Sequence, residues 1–281
     1  MKTELHSLLE FGLPETVELL NLGFSDYIAH LEFTLLSFLD MVRTESIDLA
    51  ASRIIVLEDQ SVGVALVARR GWTSRLAAMC LSPDARGHGV GRAAMQMLLE
   101  EAAGRGEHAM VLEVIEGNKP AVRLYESVGF RAERRLLSYV GEFPAQDSPA
   151  AVQLEEMDIR AAAGWVSRYG LPDLPWQLSA ESLAHLGPPS RAFRLNDVCL
   201  VISNPDAEMV GIRSLIVKPG SRGQGQAARL LQAVISHYPD RQWRVPALCP
   251  EEVGGFFEKM DFQPGRFSQL QMRVMIDSQP D

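Results

Sequence analysis

In its first half the chain reads Leu81-Ser-Pro-Asp-Ala-Arg86-Gly-His-Gly-Val-Gly91-Arg-Ala-Ala94. An apolar run precedes this segment and helical apolar spacing follows it, so the three glycines predict a tight turn between a strand and a helix. Glycine lets the backbone approach a ligand closely. The free N–H groups at the start of the following helix are suited to bind a phosphate or diphosphate. Alternatively, a single glycine-rich turn of this kind can simply connect a strand to a helix and bind no ligand.

The same pattern recurs in the second half of the chain. There the sequence reads Val217-Lys-Pro-Gly-Ser-Arg222-Gly-Gln-Gly-Gln-Ala227-Ala-Arg229. A second block follows each turn: Leu124-Tyr-Glu-Ser-Val-Gly-Phe130 is echoed by Phe256-Phe-Glu-Lys-Met-Asp-Phe262. Because two blocks recur in the same order with nearly the same shift, the chain is interpreted as two copies of one fold.

We expect a first domain at residues 1–143 and a second at residues 152–281, joined by a polar, proline-containing linker at residues 144–151. Short β-rich runs alternate with helical periodicity in each half, so the predicted fold class is mixed α/β. In the first copy we predict helices at residues 9–22, 27–42, 91–103 and 120–128, and strands at residues 54–57, 62–68, 76–81 and 110–115. In the second copy we predict strands at residues 198–202 and 210–217, and helices at residues 226–235 and 256–260.

The composition narrows the classes of function. The chain has 281 residues, with 27 Lys and Arg against 36 Asp and Glu. A net charge of −9 argues against a nucleic-acid partner, which requires a cationic surplus, and mildly favours a cationic acceptor. The cysteines Cys80, Cys199 and Cys249 are too far apart and too few for a disulfide framework, and no His/Cys cluster predicts a metal site.

Neither a signal peptide nor a membrane span is predicted. The beginning of the chain lacks a basic segment followed by an apolar one. The longest apolar-rich run, residues 31–42, contains Glu32 and Asp40 and is too short to cross a bilayer. We therefore expect a cytoplasmic protein.

Two other phosphate-binding motifs are alternative interpretations of the glycine-rich turn. A Walker loop requires Gly-Lys-Ser or Gly-Lys-Thr, and no lysine follows either turn. The dinucleotide fingerprint is matched loosely by Gly89-x-Gly91-x-x-Ala94 and by Gly223-x-Gly225-x-x-Ala228. That fingerprint normally follows the first strand of its domain, whereas several strands are predicted before this turn. A nicotinamide-dinucleotide enzyme stays as an alternative.

Taken together, the motifs resemble the GNAT superfamily of acetyl-CoA-dependent N-acetyltransferases. The segment Pro83-x-x-Arg86-Gly-x-Gly89-x-Gly91, between a strand and a helix, resembles motif A. The segment Asn118-x-x-Ala121-x-x-Leu-Tyr125-Glu-x-x-Gly129-Phe130 resembles motif B, and the second copy keeps motif A as Arg222-x-x-Gly225-x-Ala227. The resemblance implies two tandem GNAT-like domains, each a twisted, mostly antiparallel sheet flanked by helices. The sheet is expected to splay between two strands, where the pantetheine arm lies.

The resemblance also implies the residues that bind acetyl-CoA as co-substrate. Main-chain N–H groups of the turn would hold its diphosphate, and Leu81 would offer main-chain hydrogen bonds to pantetheine. The candidate binding residues are Leu81, Arg86, Gly87, His88, Gly89, Val90, Gly91, Arg92 and Asn118 in the first copy, and Arg222, Gly223, Gly225 and Ala227 in the second. No metal is expected.

Acetyl transfer from a thioester to an amine requires a proton donor for the departing thiolate and a base for the amine. In the family, the tyrosine that matches Tyr125 donates its hydroxyl proton, and a free tyrosine with a pKa near 10 is protonated at neutral pH. The alternative is that Tyr125 only packs its ring. Glu113, on the predicted strand at residues 110–115, is the candidate base, with Glu116 and a merely solvated glutamate as alternatives.

The second copy departs from the pattern at its motif B. Phe257 replaces Tyr125 and Pro250 replaces Asn118. Since phenylalanine has no proton to donate, this copy is interpreted as one that kept the fold and lost the acid. It can serve as a scaffold, as a wall of the acceptor pocket or as a ligand sensor.

The leading hypothesis is an acetyl-CoA-dependent N-acetyltransferase with an active first copy, in which the amine attacks the thioester directly, as the resemblance implies. The acceptor would be a small-molecule amine or a protein amino group, bound by residues 23–42 and by the contacts between the domains. The alternative is a non-catalytic acyl-CoA-binding sensor on a duplicated fold. The protein is expected to be a monomer or a homodimer.

Overall fold

The fold is mixed α/β, as the sequence predicts. The computed structural model describes residues 2–143 and 153–276. The strands are β1 (Thr3–Ser7), β2 (Arg53–Leu57), β3 (Gln60–Arg70), β4 (Thr73–Leu81), β5 (Ala109–Ile115), β6 (Arg131–Glu142), β7 (Glu155–Met157), β8 (Arg191–Leu195), β9 (Val198–Ile202), β10 (Met209–Val217), β11 (Gln242–Pro250), β12 (Gln263–Pro264) and β13 (Gln269–Met275). The α-helices are α1 (Leu13–Gly23), α2 (Leu35–Glu45), α3 (Val90–Gly104), α4 (Lys119–Ser127), α5 (Ile159–Tyr169), α6 (Ala180–Ala184), α7 (Gln226–His237) and α8 (Glu251–Glu258).

The chain divides into two compact units. Unit 1 contains the residues up to Arg134 and the segment from Leu270 onward, and unit 2 contains Arg135–Gln269. The last strand of the chain, β13, therefore belongs almost entirely to unit 1, and most of β6 belongs to unit 2.

This division differs from the predicted boundaries of 1–143 and 152–281. The chain passes from one unit to the other within β6 and again within β13, and each repeat block ends before the corresponding strand. The motifs therefore carry no information about where β6 and β13 lie. The predicted linker at residues 144–151 lies outside the described residues.

The sheet of unit 1 has the order β1-β2-β3-β4-β5-β13. Its first four strands are antiparallel neighbours. Strands β4 and β5 are parallel and pair only over residues 73–75 and 109–111. Beyond Arg75 and Val111 the two strands diverge towards their carboxyl ends, which opens the gap that the family resemblance implies. A bulge at Ala77 shifts the pairing of β4 with β3 at the point where the gap begins.

The position of the glycine-rich turn after β4 bears on the dinucleotide alternative. In a dinucleotide-binding fold the glycine fingerprint follows the first strand of a parallel βαβ unit. Here the turn follows an inner strand whose neighbour β3 is antiparallel. The topology therefore does not fit a nicotinamide-dinucleotide site.

Helices α3 and α4 cover one face of this sheet. Their apolar side chains form one buried cluster with alternate residues of β2, β3 and β5, among them Ile55, Val67, Leu112 and Val114. Because side chains alternate along a strand, Glu113 points to the opposite face. Helix α1 contacts β3 and β4, and α2 packs on α1.

The second helix is shorter than predicted. Residues 27–42 were expected to be helical, but α2 is Leu35–Glu45. The Asn21 side chain hydrogen-bonds the backbone of Phe33 twice, through its amide and its carbonyl at 2.8 Å each, and this holds the preceding segment out of a helix. The side chain of Thr34 then caps α2.

Unit 2 repeats the arrangement, with the sheet order β6-β11-β10-β9-β8-β7. Strands β10 and β11 are parallel and pair only over residues 209–211 and 242–244. A bulge at Arg213 shifts the pairing of β10 with β9, in the place that Ala77 occupies in unit 1. The duplication inferred from two motifs thus extends to the divergence of the two central strands and to the bulge.

No helix in residues 2–143 and 153–276 is long and apolar enough to cross a membrane.

Substitution of Gly23 by alanine is expected to destabilise unit 1 by about 1–3 kcal/mol. A β-carbon at Gly23 would overlap Cys80 Sγ and lie 2.6 Å from Cys80 Cβ, and both residues are buried. Gly104→Ala is the matched control, because Gly104 also ends a helix and a β-carbon there has open space. The control is expected to keep or raise the urea midpoint. An unchanged midpoint for Gly23→Ala would contradict the packing described.

Candidate active site

The turn after β4 has the conformation that the sequence predicts. Gly87 and Gly89 have φ values of 79° and 81°, in the left-handed region that favours glycine, and a β-carbon at either would meet nothing within 4 Å. Gly89 is the N-cap of α3. The first intrahelical bond runs from Ala93 N–H to Gly89 O at 3.0 Å, so the N–H groups of residues 90–92 have no partner within the helix. These N–H groups make the turn suitable for an anion.

Arg86 does not point at this anion site. Its guanidinium donates to Leu81 O at 3.1 Å and to Gly23 O at 2.8 Å, and it forms a forked ion pair with Asp26 at 2.7 and 2.9 Å. The Arg86 side chain therefore ties the end of β4 to the end of α1. Its backbone N–H donates to Pro83 O at 3.2 Å, so Arg86 shapes the turn and does not hold the anion as the sequence predicts.

Between the diverging ends of β4 and β5 lies a cavity of about 580 Å³. Eight of the residues predicted from the sequence line it: Leu81, Arg86, Gly87, Gly89, Gly91, Arg92, Asn118 and Tyr125. His88, Val90 and Glu113 are not among the lining residues. The cavity thus connects the glycine-rich turn at one end with Tyr125 on α4.

Tyr125 is buried, with 8% of its surface exposed, and its ring packs on Phe130 at 5.8 Å between centroids. Burial raises the pKa of Tyr125 well above its ordinary value, and the neighbouring Tyr27 and Cys80 add to the rise. The phenol therefore stays protonated over the whole physiological pH range, as a free tyrosine does.

Asn118 and Tyr27 form the wall beside Tyr125. Asn118 caps α4, since its side chain accepts a hydrogen bond from Ala121 N–H at 3.4 Å. Its side chain also hydrogen-bonds the Tyr27 hydroxyl, which partly opposes the rise that burial causes in the pKa of Tyr27. Tyr27 lies within the stretch predicted to bind the acceptor, but no motif singles it out.

The predicted base, Glu113, lies in a buried ion pair instead of in the cavity. Its carboxylate accepts a hydrogen bond from Arg75 Nε at 2.7 Å, and the two side chains are 2% and 4% exposed. Arg75 also pairs with Glu45 at 2.6 Å. The sequence could not indicate this, because the partners of Glu113 lie on a different strand and on a helix far away in the chain.

Cys80 lines the same cavity, and its thiol lies 3.7 Å from Leu19 O on α1. Burial raises the pKa of Cys80 to about 12. A thiol that stays protonated is a poor nucleophile, so Cys80 is not suited to carry an acetyl group. Among residues 2–143 and 153–276, no cluster of His, Cys, Asp or Glu could hold a metal ion.

Unit 2 reproduces the turn and its arginine. Gly223 and Gly225 have φ values of 77° and 72°, and Arg229 N–H donates to Gly225 O at 3.1 Å. Arg222 donates to Val217 O at 3.3 Å and to Tyr169 O at 2.8 Å, the ends of β10 and α5. The arginine thus joins the same strand end and helix end as in unit 1.

A second cavity, of about 410 Å³, lies between the diverging strands of unit 2. It is lined by Arg222, Gly223 and Ala227 of the turn and by Phe257, which replaces the tyrosine. Pro250 caps α8 without a side-chain hydrogen bond, where Asn118 caps α4. Unit 2 therefore keeps the shape of the cleft and lacks the hydroxyl.

Comparison with known proteins supports the resemblance. Residues 16–130 match the model of the acetyltransferase (GNAT) family. A curated relative, the mycothiol acetyltransferase of Thermomonospora curvata, is 46% identical over 50 residues, which are 18% of this chain and 17% of that protein. The match thus spans less than a fifth of the length of that relative.

Two solved structures resemble the whole chain at low sequence identity. A GCN5-related N-acetyltransferase from Sphaerobacter thermophilus has a TM-score of 0.71 at 17% identity, over 100% of this chain and 97% of that one. A tandem GNAT protein from the clavulanic acid biosynthesis pathway has a TM-score of 0.69 at 14% identity, over 100% and 99%. Unit 1 is therefore a domain of the GNAT acetyltransferase family, and the chain as a whole has the fold of a tandem GNAT protein.

Proposed function

We propose that the protein is an acetyl-CoA-dependent N-acetyltransferase whose active site is in unit 1, with a primary amine as acceptor. The observation that carries the proposal is a single cavity that joins an anion-binding helix N-terminus to a buried, protonated phenol. A CoA thioester is a ligand with a diphosphate at one end and a leaving thiolate at the other, and it matches both features.

The proposed binding of acetyl-CoA follows from the donors present. Its diphosphate accepts hydrogen bonds from the N–H groups of residues 87–92, where the open space at Gly87 and Gly89 lets the ligand approach the backbone. Arg92, at the first turn of α3, adds a positive charge to the cavity. The pantetheine arm lies along the edge of β4 at residues 79–81, which faces the gap.

The proposed reaction is a direct transfer. The amine nitrogen attacks the thioester carbonyl carbon, the C–S bond breaks, and the thiolate takes the proton of the Tyr125 hydroxyl. The amine attacks in its neutral form, the attacking nitrogen then gives one proton to solvent, and Tyr125 regains one from solvent, so the products are an amide and free CoA. The raised pKa of Cys80 supports direct attack over an acetyl-cysteine intermediate.

For unit 2 we propose a binding site for a CoA-type ligand without acetyl transfer. Its support is the retained turn, at Gly223 and Gly225, together with the retained cavity. Phe257 is 6% exposed and packs on Phe262 in the way that Tyr125 packs on Phe130. A protein in which both units only sense acyl-CoA is the alternative, and turnover by unit 1 distinguishes the two.

Replacing Tyr125 by phenylalanine is expected to lower kcat at least about tenfold, because a general acid contributes 10²- to 10⁴-fold in typical enzymes. The Kd of acetyl-CoA is expected to stay within about twofold, since the ring and its packing are kept. Release of free thiol and titration calorimetry measure the two quantities. Tyr238→Phe in unit 2, outside both cavity linings, is the control and is expected to keep kcat. An unchanged kcat for Tyr125→Phe would mean that another group supplies the proton.

Replacing Glu113 by glutamine tests the ion pair against the base predicted from the sequence. The expected result is a loss of stability of up to about 3 kcal/mol with little change in kcat, because the buried Arg75 loses a charged partner. Glu45→Gln removes the other partner of Arg75 and is expected to behave in the same way. A hundredfold loss of kcat for Glu113→Gln alone, at an unchanged unfolding midpoint, would instead identify Glu113 as the base.

A further inference from the structure

Residues 23–28, the bridging segment, cross the gap between the two diverging strands of unit 1. At one end Arg86, just beyond β4, holds Gly23 O and the Asp26 carboxylate. At the other end the Ile28 side chain lies against Gly117, just beyond β5, where a β-carbon would be 3.2 Å from Ile28 Cδ1. The bridging segment therefore closes one side of the cavity.

The bridging segment is built around an aromatic cluster. The ring of Phe24 lies 5.1 Å from the ring of Tyr27 and 5.9 Å from that of Phe33. Phe24, Tyr27 and Ile28 all line the cavity. The polar group that this part of the lining adds is the Tyr27 hydroxyl, held beside Asn118. This surface suits an apolar group.

The charge of the cavity disfavours a polycation. Of the described residues that line it, Asp26 alone carries a carboxylate. Both oxygens of Asp26 accept hydrogen bonds from Arg86, which holds the pKa of that carboxyl below its usual range. Asp26 and Arg86 therefore neutralise each other, and Arg92, the other charged residue of the lining, lies at the turn where the diphosphate would bind. A second positive charge on an acceptor would find no carboxylate in this lining that is not already paired.

We infer that the acceptor is a small primary amine on an apolar, uncharged body, which packs against Phe24 and Ile28. The inference rests on the proposed function and deepens it. It replaces the mild expectation of a cationic acceptor that came from the net charge of −9, since that charge is spread over the whole chain. Desolvation in an apolar cavity lowers the pKa of the amine, so the neutral, nucleophilic form is favoured without a dedicated carboxylate base.

The test compares two amines of similar length, phenethylamine and cadaverine (a linear diamine), on the full chain at saturating acetyl-CoA. Phenethylamine is expected to have a kcat/KM at least about tenfold above that for the diamine. Ile28→Asp places a carboxylate at the cavity wall and is expected to reduce this ratio about tenfold or more, through the KM for the amine. Leu36→Asp is the matched control, because Leu36 is 79% exposed on α2 and does not line the cavity.

Calorimetry with acetyl-CoA separates this inference from the proposed function. Acetyl-CoA is expected to bind the unsubstituted chain, Ile28→Asp and Leu36→Asp, with the same Kd for the unsubstituted chain and Leu36→Asp. With acetyl-CoA bound, an equal or better kcat/KM for the diamine, an unchanged ratio in Ile28→Asp, or no turnover of either amine would each overturn the assignment of the acceptor. Failure of the unsubstituted chain to bind acetyl-CoA would overturn the proposed function and the acceptor assignment with it.

Discussion

One arginine in each unit holds the end of a central strand to the end of a helix. In unit 1 Arg86 reaches the carbonyls of Leu81 and Gly23, and in unit 2 Arg222 reaches those of Val217 and Tyr169. Hydrogen bonds from a charged donor are stronger than those between neutral groups. Because the glycine-rich turn begins at this arginine, its position determines where the free N–H groups of the following helix point. The cleft and its chemistry depend on this arrangement.

Comparison of the two units separates the features of the cleft that both units keep from the side chains in which they differ. Both keep the arginine, the positive φ of the two glycines, the bulge and the diverging strands. They differ at two polar side chains: Tyr125 is matched by Phe257, and Asn118 by Pro250. The retained features are those that shape the backbone, and the lost ones are polar side chains. This pattern is what we expect if unit 2 kept its architecture and lost the proton donor proposed for unit 1.

The sequence predicted the parts of the site that depend on local structure. Glycine spacing indicates the turn, and the seven positions from Asn118 to Tyr125 place both on one helix face, so both line the cavity. Long-range partners could not be predicted. The Arg86 side chain points to Asp26 instead of to an anion, and the Glu113 carboxylate pairs with Arg75, because each contact joins residues far apart in the chain. The placement of most of β6 in unit 2 and of β13 in unit 1 also depends on contacts between residues far apart in the chain.

The central claim is that the main-chain donors after β4 bind the diphosphate of a CoA thioester. Titration calorimetry of Gly89→Val with CoA and with pantetheine, which lacks the diphosphate, tests it most directly. A β-branched residue at a φ of 81° distorts the turn and leaves the Tyr125 end of the cavity intact. The account predicts that the Kd of CoA at the unit 1 site rises at least about tenfold, which is about 1.4 kcal/mol, while the Kd of pantetheine there and the Kd of CoA at the unit 2 site are unchanged. Equal weakening of both ligands, or an unchanged Kd for CoA, would contradict it.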